Sequence, residues 1–378
     1  MLRHYVTKNG RTLRCGYTTG ACAAAAAGAA ALLLLTGEAP QTHRLDTPGG
    51  VPLELDILEP ELADGRARCA VRKDAGDDPD VTDGCLVFAS VKKTDVGIFI
   101  DGGEGIGRVT RAGLDQPVGA PAINSVPRRM IREQAETACA ICGYAGGLEI
   151  VISIPGGAEL ARRTFNPRQG IEGGLSVIGT TGIVEPMSSA ALVDTIRLEL
   201  NVLRASGSKA VLLCPGRYGE AFARDALGLA GAGQVSVGNF IGDAVDAAVA
   251  DGFEDILLVG HVGKLVKLGI GARNTHSANG DGRMETLAAC ALAAGAEAPL
   301  LRQIMDCATT DAALEALDGA RLLRPAMAEL GARIQSTLAR WVPERVEIGF
   351  VCFGGKNPFD GVLAESDNAR KLAAVLKR

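Results

Sequence analysis

From about residue 175 onward the chain alternates short apolar runs with segments of helical length, and this rhythm constrains its fold more than any other feature. An extended run at 175–178 precedes a helix over 188–205, a strand at Ala210–Cys214 and a helix over 219–229. A strand at 234–237, a helix over 241–251 and a strand at 255–260 follow, and after further helices a late strand spans Val346–Phe353. Strands separated by whole helices do not pair as hairpins; they pair in parallel, with the helices covering the sheet. In such doubly wound sheets ligands sit beyond the carboxyl ends of the strands. Those ends carry polar glycine turns: Gly179–Gly182, Pro215–Gly219, Gly238–Gly242 and Gly260–Lys264. The reading is a Rossmann-like, largely parallel α/β domain over 156–378 with its binding site on that rim.

The first half has a different texture. Extended segments near 51–58, 66–72, 85–91 and 96–101 accompany a helix over 20–36, a second from about Pro127 to Cys142, and a strand at Leu148–Ile154. Several strands around two helices indicate an α+β domain over 1–155. The alanine-rich run Ala21–Leu35, preceded by Arg3, Lys8, Arg11 and Arg14, imitates a signal peptide. Alanine, however, is weakly hydrophobic and the strongest helix former, the run is short for a bilayer, and Thr18 and Thr19 stand ready as caps. A buried helix in a cytoplasmic protein, with no membrane partner, fits better. The 378 residues suffice for two cores. A net charge of −5 without a long basic run argues against nucleic acid and for a small-molecule ligand. The ten cysteines are scattered through apolar stretches and read as free thiols, and Cys139-x-x-Cys142 lacks the second pair that a zinc site needs. No metal site is expected.

Thr-Thr-Gly occurs at Thr18–Gly20 and again at Thr180–Gly182. The first opens the alanine helix and reads as largely structural. The second hands an extended segment over to a helix, a junction that points N–H groups and hydroxyls at one spot. Asp101–Gly107 matches the D-x-G-x-G-x-G loop of common methyltransferases, but that loop opens a helix. The sequel Arg108–Pro117 holds β-branched residues, glycine and proline. A strand-to-turn element is expected instead, in which Gly103, Glu104, Gly105 and Gly107 can still meet a ligand. Arg108, Arg111, Arg128, Arg129 and Arg132 follow closely; guanidinium forks suit a ligand with many carboxylates, or simply solvate a turn and a helix face. The acidic stretch containing Asp77, Asp78 and Asp80 lacks EF-hand spacing and reads as a turn or as an acceptor for a ligand. Gly260–Leu265 looks like a truncated phosphate loop, yet Leu258 replaces its first glycine and Leu265 its Ser/Thr, which excludes an ATPase. His261, at a strand end, is a candidate acid–base group, and His276 a second polar candidate; either can equally be a structural histidine.

Taken in order, these segments resemble the cobalt-precorrin-5B (C-1) methyltransferase family of anaerobic cobalamin biosynthesis. The resemblance rests on Gly16-Tyr-Thr-Thr-Gly-Ala-Cys, Asp77-Asp-Pro-Asp-Val-Thr, Gly102-Gly-Glu-Gly-Ile-Gly, Gly119-Ala-Pro-Ala-Ile-Asn-Ser-Val-Pro-Arg, Gly179-Thr-Thr-Gly-Ile-Val-Glu-Pro-Met-Ser, Gly260-His-Val-Gly-Lys-Leu and Asn274-Thr-His-Ser. Ser125 stands where the pattern leads one to expect proline, and Ser189 where it leads one to expect glutamate. The resemblance implies methyl transfer from S-adenosylmethionine, as cosubstrate, to C-1 of the cobalt-containing macrocycle, giving cobalt-precorrin-6A; cobalt enters only within that corrinoid substrate. It also implies binding roles for Thr18, Thr19, Gly20, Asp77, Asp78, Asp80, Gly103, Glu104, Gly105, Gly107, Arg128, Thr180, Thr181, Gly182, Glu185, Lys264 and His276, with His261 as the catalytic candidate. The acidic loop and the Gly103–Gly107 turn are expected to face Thr180–Gly182 across a domain cleft. Two other classes stay open at this point: a corrinoid carrier or scaffold without chemistry, and a small-molecule kinase.

Overall fold

A computed structural model describes residues 2–8, 10–355 and 361–377. The chain forms two compact units, Met1–Ser188 and Ser189–Arg378. The division therefore falls after residue 188 rather than after 155, and residues 156–188 pack with the first unit.

The first unit begins with the hairpin β1 (Tyr5–Lys8) and β2 (Arg11–Arg14), then β3 (Gly16–Tyr17) and helix α1 (Thr19–Thr36). A second hairpin, β4 (Thr42–Asp46) with β5 (Pro52–Asp56), is followed by β6 (Leu58–Ala63), β7 (Arg66–Arg72), β8 (Leu86–Thr94), β9 (Ile98–Gly102) and β10 (Arg108–Val109). Helix α2 (Ser125–Ile141) leads into β11 (Gly147–Ser153), and the short strands β12 (Ile171–Glu172) and β13 (Ile183–Val184) come last. The main sheet has five strands in the order β6-β7-β8-β11-β9, antiparallel except for β11 beside β9. α1 packs against β7, β8 and α2. Its alanines explain the placement: every residue from Thr19 to Ala31 is buried, on all faces. A helix apolar all round has to sit inside something, and side chains no larger than a methyl let its neighbours approach closely. A Cβ on Gly28 would come within 2.5 Å of the His43 ring, and one on Gly20 within 2.7 Å of Pro127. By length and composition α1 could cross a membrane, yet it lies within the core of this unit. Thr18 caps it by accepting from the Ala21 N–H, and Gly37 ends it at φ 83°.

The second unit is built on β14 (Ala210–Cys214), β15 (Gln234–Ser236), β16 (Asp255–His261), β17 (Glu347–Phe353) and β18 (Val362–Glu365). Their order is β15-β14-β16-β17-β18; all neighbours are parallel except β18, which runs antiparallel to β17. In chain order this is the 2-1-3-4-5 arrangement of flavodoxin-like sheets. Both faces are covered. Val211, Leu213, Ile256 and Leu258 point into one core with helices such as Ile241–Ala250 and Leu323–Ala339. Leu212, Cys214, Leu257 and Val259 point into the other, with Ala223 and Leu372 from the helices Arg217–Asp225 and Ala369–Leu376. Alternation between two buried faces is why the centres of β14, β16 and β17 are apolar at successive positions. The extended run at 175–178 is not part of this sheet.

Candidate functional site

In the second unit the strand order reverses between β14 and β16, which opens a crevice at their carboxyl ends. Turns beginning at Pro215, Gly238 and His261 meet there. Two of them pack closely: a Cβ on Gly260 would lie 3.0 Å from Pro215 and 2.9 Å from Leu265, so a larger residue would push those side chains aside. A cavity of about 190 Å³ is lined by residues that include Asn239, Lys264, Lys267, Thr275, His276 and Arg283.

His261 ends β16 and caps the short helix Val262–Leu265 by accepting the Gly263 N–H on Nδ1 at 3.0 Å. With Nδ1 an acceptor, the neutral ring carries its proton on Nε2. Burial holds its pKa below the usual histidine range, with Asp311 pulling the other way. The ring is thus a neutral donor, and a proton-accepting role would require breaking its own cap. His276 repeats the device, accepting the Ala278 N–H at 3.1 Å. Lys264 donates to the Gly238 carbonyl at 3.0 Å, and burial, helped by Lys267, lowers its pKa. Lys267 is 2% exposed and donates to the Thr275 carbonyl at 3.2 Å, beside Asp281 at 3.2 Å. Arg283 forks onto Asp281 at 2.6 and 2.7 Å, which, with Lys267, holds that carboxyl at about 2.

Thr180–Gly182 is not on this rim. β13 pairs antiparallel with β3, so the second Thr-Thr-Gly lies against the first. Thr18 N–H donates to the Gly182 carbonyl at 3.0 Å and Gly20 N–H to the Ile178 carbonyl at 3.0 Å. The buried Thr19 Oγ1 accepts from Ile178 N–H at 3.0 Å. Gly182, at φ 81°, leaves no room for a Cβ beside Thr47. Thr180 and Thr181 are exposed beyond this knot. The acidic loop belongs to the same unit, so it does not face Thr180–Gly182 across a domain cleft. Asp77 accepts from Arg14 N–H at 2.7 Å, Asp78 from Met187 N–H at 3.1 Å, and Glu185 pairs with Lys8 at 2.8 Å. Asp80 is taken up by the buried Lys73 at 2.6 Å and by Thr82.

Two further candidates are held by the fold. Arg128 donates to the carbonyls of Ile123, Ile100 and Pro121, at 2.8, 3.1 and 3.5 Å. The Gly103–Gly107 turn is stitched to the backbone: Gly103 N–H donates to Ile152 and Glu104 accepts from Ile154 N–H, while Gly107 N–H donates to Leu175. A Cβ on Gly105 would fall 1.9 Å from the Ile154 carbonyl oxygen. As expected, no helix follows; β10 does. Of the residues lining this cavity, Lys264 and His276 are legible as site candidates in the sequence, whereas Asn239, Lys267 and Arg283 are not. The available signal was Lys267 itself, a cation in the apolar run Leu265–Ile270, three positions from Lys264.

Fold and rim together define a two-unit α/β protein whose second unit carries a cationic crevice at the switch point of a parallel sheet. The CbiD family model matches residues 6–186 and the CbiD C-terminal domain model residues 274–365. A cobalt-precorrin-5B C(1)-methyltransferase of Alkaliphilus metalliredigens is 40% identical over 377 residues, 100% of this chain and 98% of the relative. The enzymes of that name from Ruminiclostridium cellulolyticum and Klebsiella pneumoniae are 47% and 41% identical, covering 82% and 98% of this chain and 81% and 97% of their own. A solved structure of cobalamin biosynthesis protein CbiD from Archaeoglobus fulgidus is 29% identical and covers 71% of this chain and 84% of its own, with a TM-score of 0.39. The chain belongs to the CbiD family.

Proposed function

We propose that this protein methylates C-1 of cobalt-precorrin-5B, with S-adenosylmethionine as methyl donor and cobalt-precorrin-6A as product, as a cytoplasmic enzyme. The observation that carries the reading is likeness along the entire chain, 40% identity over both units, to a relative named for that reaction. A likeness limited to one unit would leave room for a carrier or a kinase; the full-length relatives favour neither.

A sulfonium supplies an electrophilic methyl whose leaving group is a neutral thioether, so the protein's task is alignment and exclusion of water. Holding reactants in an attack geometry contributes about 7–11 kcal/mol in favourable cases. The second-unit rim suits that task. Its glycine turns let backbone approach a ligand, and Lys264 with the His276 Nε2–H offers donors to carboxylates. His261, its Nδ1 engaged by Gly263, positions and donates rather than abstracting a proton. In the first unit, the exposed Thr180 and Thr181 are the further candidates of this reading for ligand contact. Thr18, Thr19 and Gly20 hold that turn from behind through Gly182 and Ile178.

The test is incubation of purified protein with cobalt-precorrin-5B and methyl-labelled S-adenosylmethionine. The expected outcome is label in the corrinoid. Pigment bound without label would mark a carrier, and ATP turnover with no label a kinase.

A further inference from the structure

We infer that the cavity of the second unit is a carboxylate clamp, with Lys264 as the cation that touches the ligand and Lys267, Asp281 and Arg283 as its fixed support. The inference deepens the proposed function and rests on it for the identity of the ligand. Three cations, Lys264, Lys267 and Arg283, converge on the cavity, and the described ion pairs there set one carboxylate, Asp281, against two of them. Asp281 binds Arg283 through both oxygens and Lys267 through one. Lys267 is 2% exposed and fastened also to the Thr275 carbonyl and Ser277 Oγ, so it cannot swing out.

Lys264 differs. Among the described residues its ammonium has a backbone carbonyl as hydrogen-bond partner and no carboxylate within ion-pair distance. A half-buried ammonium beside a second cation is costly until an anion arrives. A ligand carboxylate would supply the missing charge, with the His276 Nε2–H as a further donor. Both ligands of the proposed reaction bear carboxylates: the amino-acid end of the methyl donor and the side chains around the macrocycle. The inference is the shared chemistry, and the experiment separates the sources.

The experiment is competitive labelling of the intact protein with an amine-reactive ester, read lysine by lysine by mass spectrometry. It is run alone, with tricarballylate as a small carboxylate probe, with S-adenosylhomocysteine, and with cobalt-precorrin-5B. We expect Lys264 labelling to slow about tenfold or more with at least one of these, while exposed lysines such as Lys209 are unaffected. Protection by S-adenosylhomocysteine assigns the clamp to the methyl donor; protection by the corrinoid assigns it to the macrocycle. Unchanged labelling of Lys264 with all three overturns the inference, even if methyl transfer is observed. Protection by tricarballylate in a protein that transfers no methyl leaves the clamp standing and removes the methyltransferase reading. A Lys264→Gln variant that melts like the parent yet binds the protecting ligand about tenfold more weakly gives the same answer independently.

Discussion

Thr19→Val separates the two Thr-Thr-Gly copies. Thr19 is 4% exposed, and its Oγ1 accepts the Ile178 N–H at 3.0 Å while donating to the Ile178 carbonyl at 3.3 Å. Valine keeps the shape and removes the acceptor. The carbonyl retains its bond from Gly20 N–H, so the loss falls on the Ile178 N–H. A buried donor left without a partner costs about 1–3 kcal/mol, and because Ile178 itself is 51% exposed the loss here belongs at the low end of that range. Taking roughly 1 kcal/mol, and about 2–4 °C per kcal/mol for a unit of this size, the first unit's transition should drop by about 2–4 °C. Thr181 provides the contrast. Its hydroxyl is exposed and bonds within its own turn, to Ile183 N–H and the Ile183 carbonyl, where water can substitute. Thr181→Val should therefore stay within about 0.5 kcal/mol of the parent while weakening ligand binding. The only tryptophan, Trp341, lies in the second unit, so its fluorescence is the wrong probe. Hydrogen exchange read on peptides covering α1 and 176–184 is the right one. A Thr19→Val protein exchanging like the parent there, or a Thr181→Val protein as destabilised as Thr19→Val, would refute the reasoning.

Other outcomes follow from the same geometry. Gly105→Ala puts a methyl 1.9 Å from a carbonyl oxygen at φ 74°, so soluble yield should collapse or stability fall by more than about 3 kcal/mol; Gly119→Ala, at φ 88° with open space, should cost only about 1–2 kcal/mol in the same urea titration. Asp74 is held below the usual carboxylate range chiefly by its hydrogen bonds to Arg14, and Asp80, against its burial, by Lys73. Both contributions are therefore full above the unfolded value of about 3.9 and are lost as pH falls through the depressed folded values, so the first unit's melting should decline below about pH 4. His261→Asn keeps a capping side chain and His261→Ala does not, so the alanine variant alone should lose about 1 kcal/mol of stability. If the ring donates a hydrogen bond and does not act as a base, neither variant should remove an acid limb from the rate profile.

How much of this was legible follows from range. The strands Ala210–Cys214, Asp255–His261 and Glu347–Phe353 announce themselves because their centres are apolar at successive positions, a local pattern that a doubly buried sheet imposes. α1 is equally local: alanines on every face leave burial as its physical option. The placement of 156–188 has no such signature. It depends on β3 pairing with β13 over two residues each, and on isolated bridges such as Ile123 with Val177. Those contacts join residues from opposite ends of the unit, such as Gly16 with Val184, and two residues are too few to show a period. Arg128 misleads for a related reason, since a guanidinium fork recognises a ligand carboxylate and a row of backbone carbonyls with the same donors, and only the path of Ile100, Pro121 and Ile123 decides between them. The glycines behave likewise: Gly105 and Gly174 are needed where backbone crosses backbone, and Gly260 sits where turns of the rim pack closely. A glycine-rich turn in this chain therefore marks close approach first, and a ligand only where charge converges on it, as it does around Lys264.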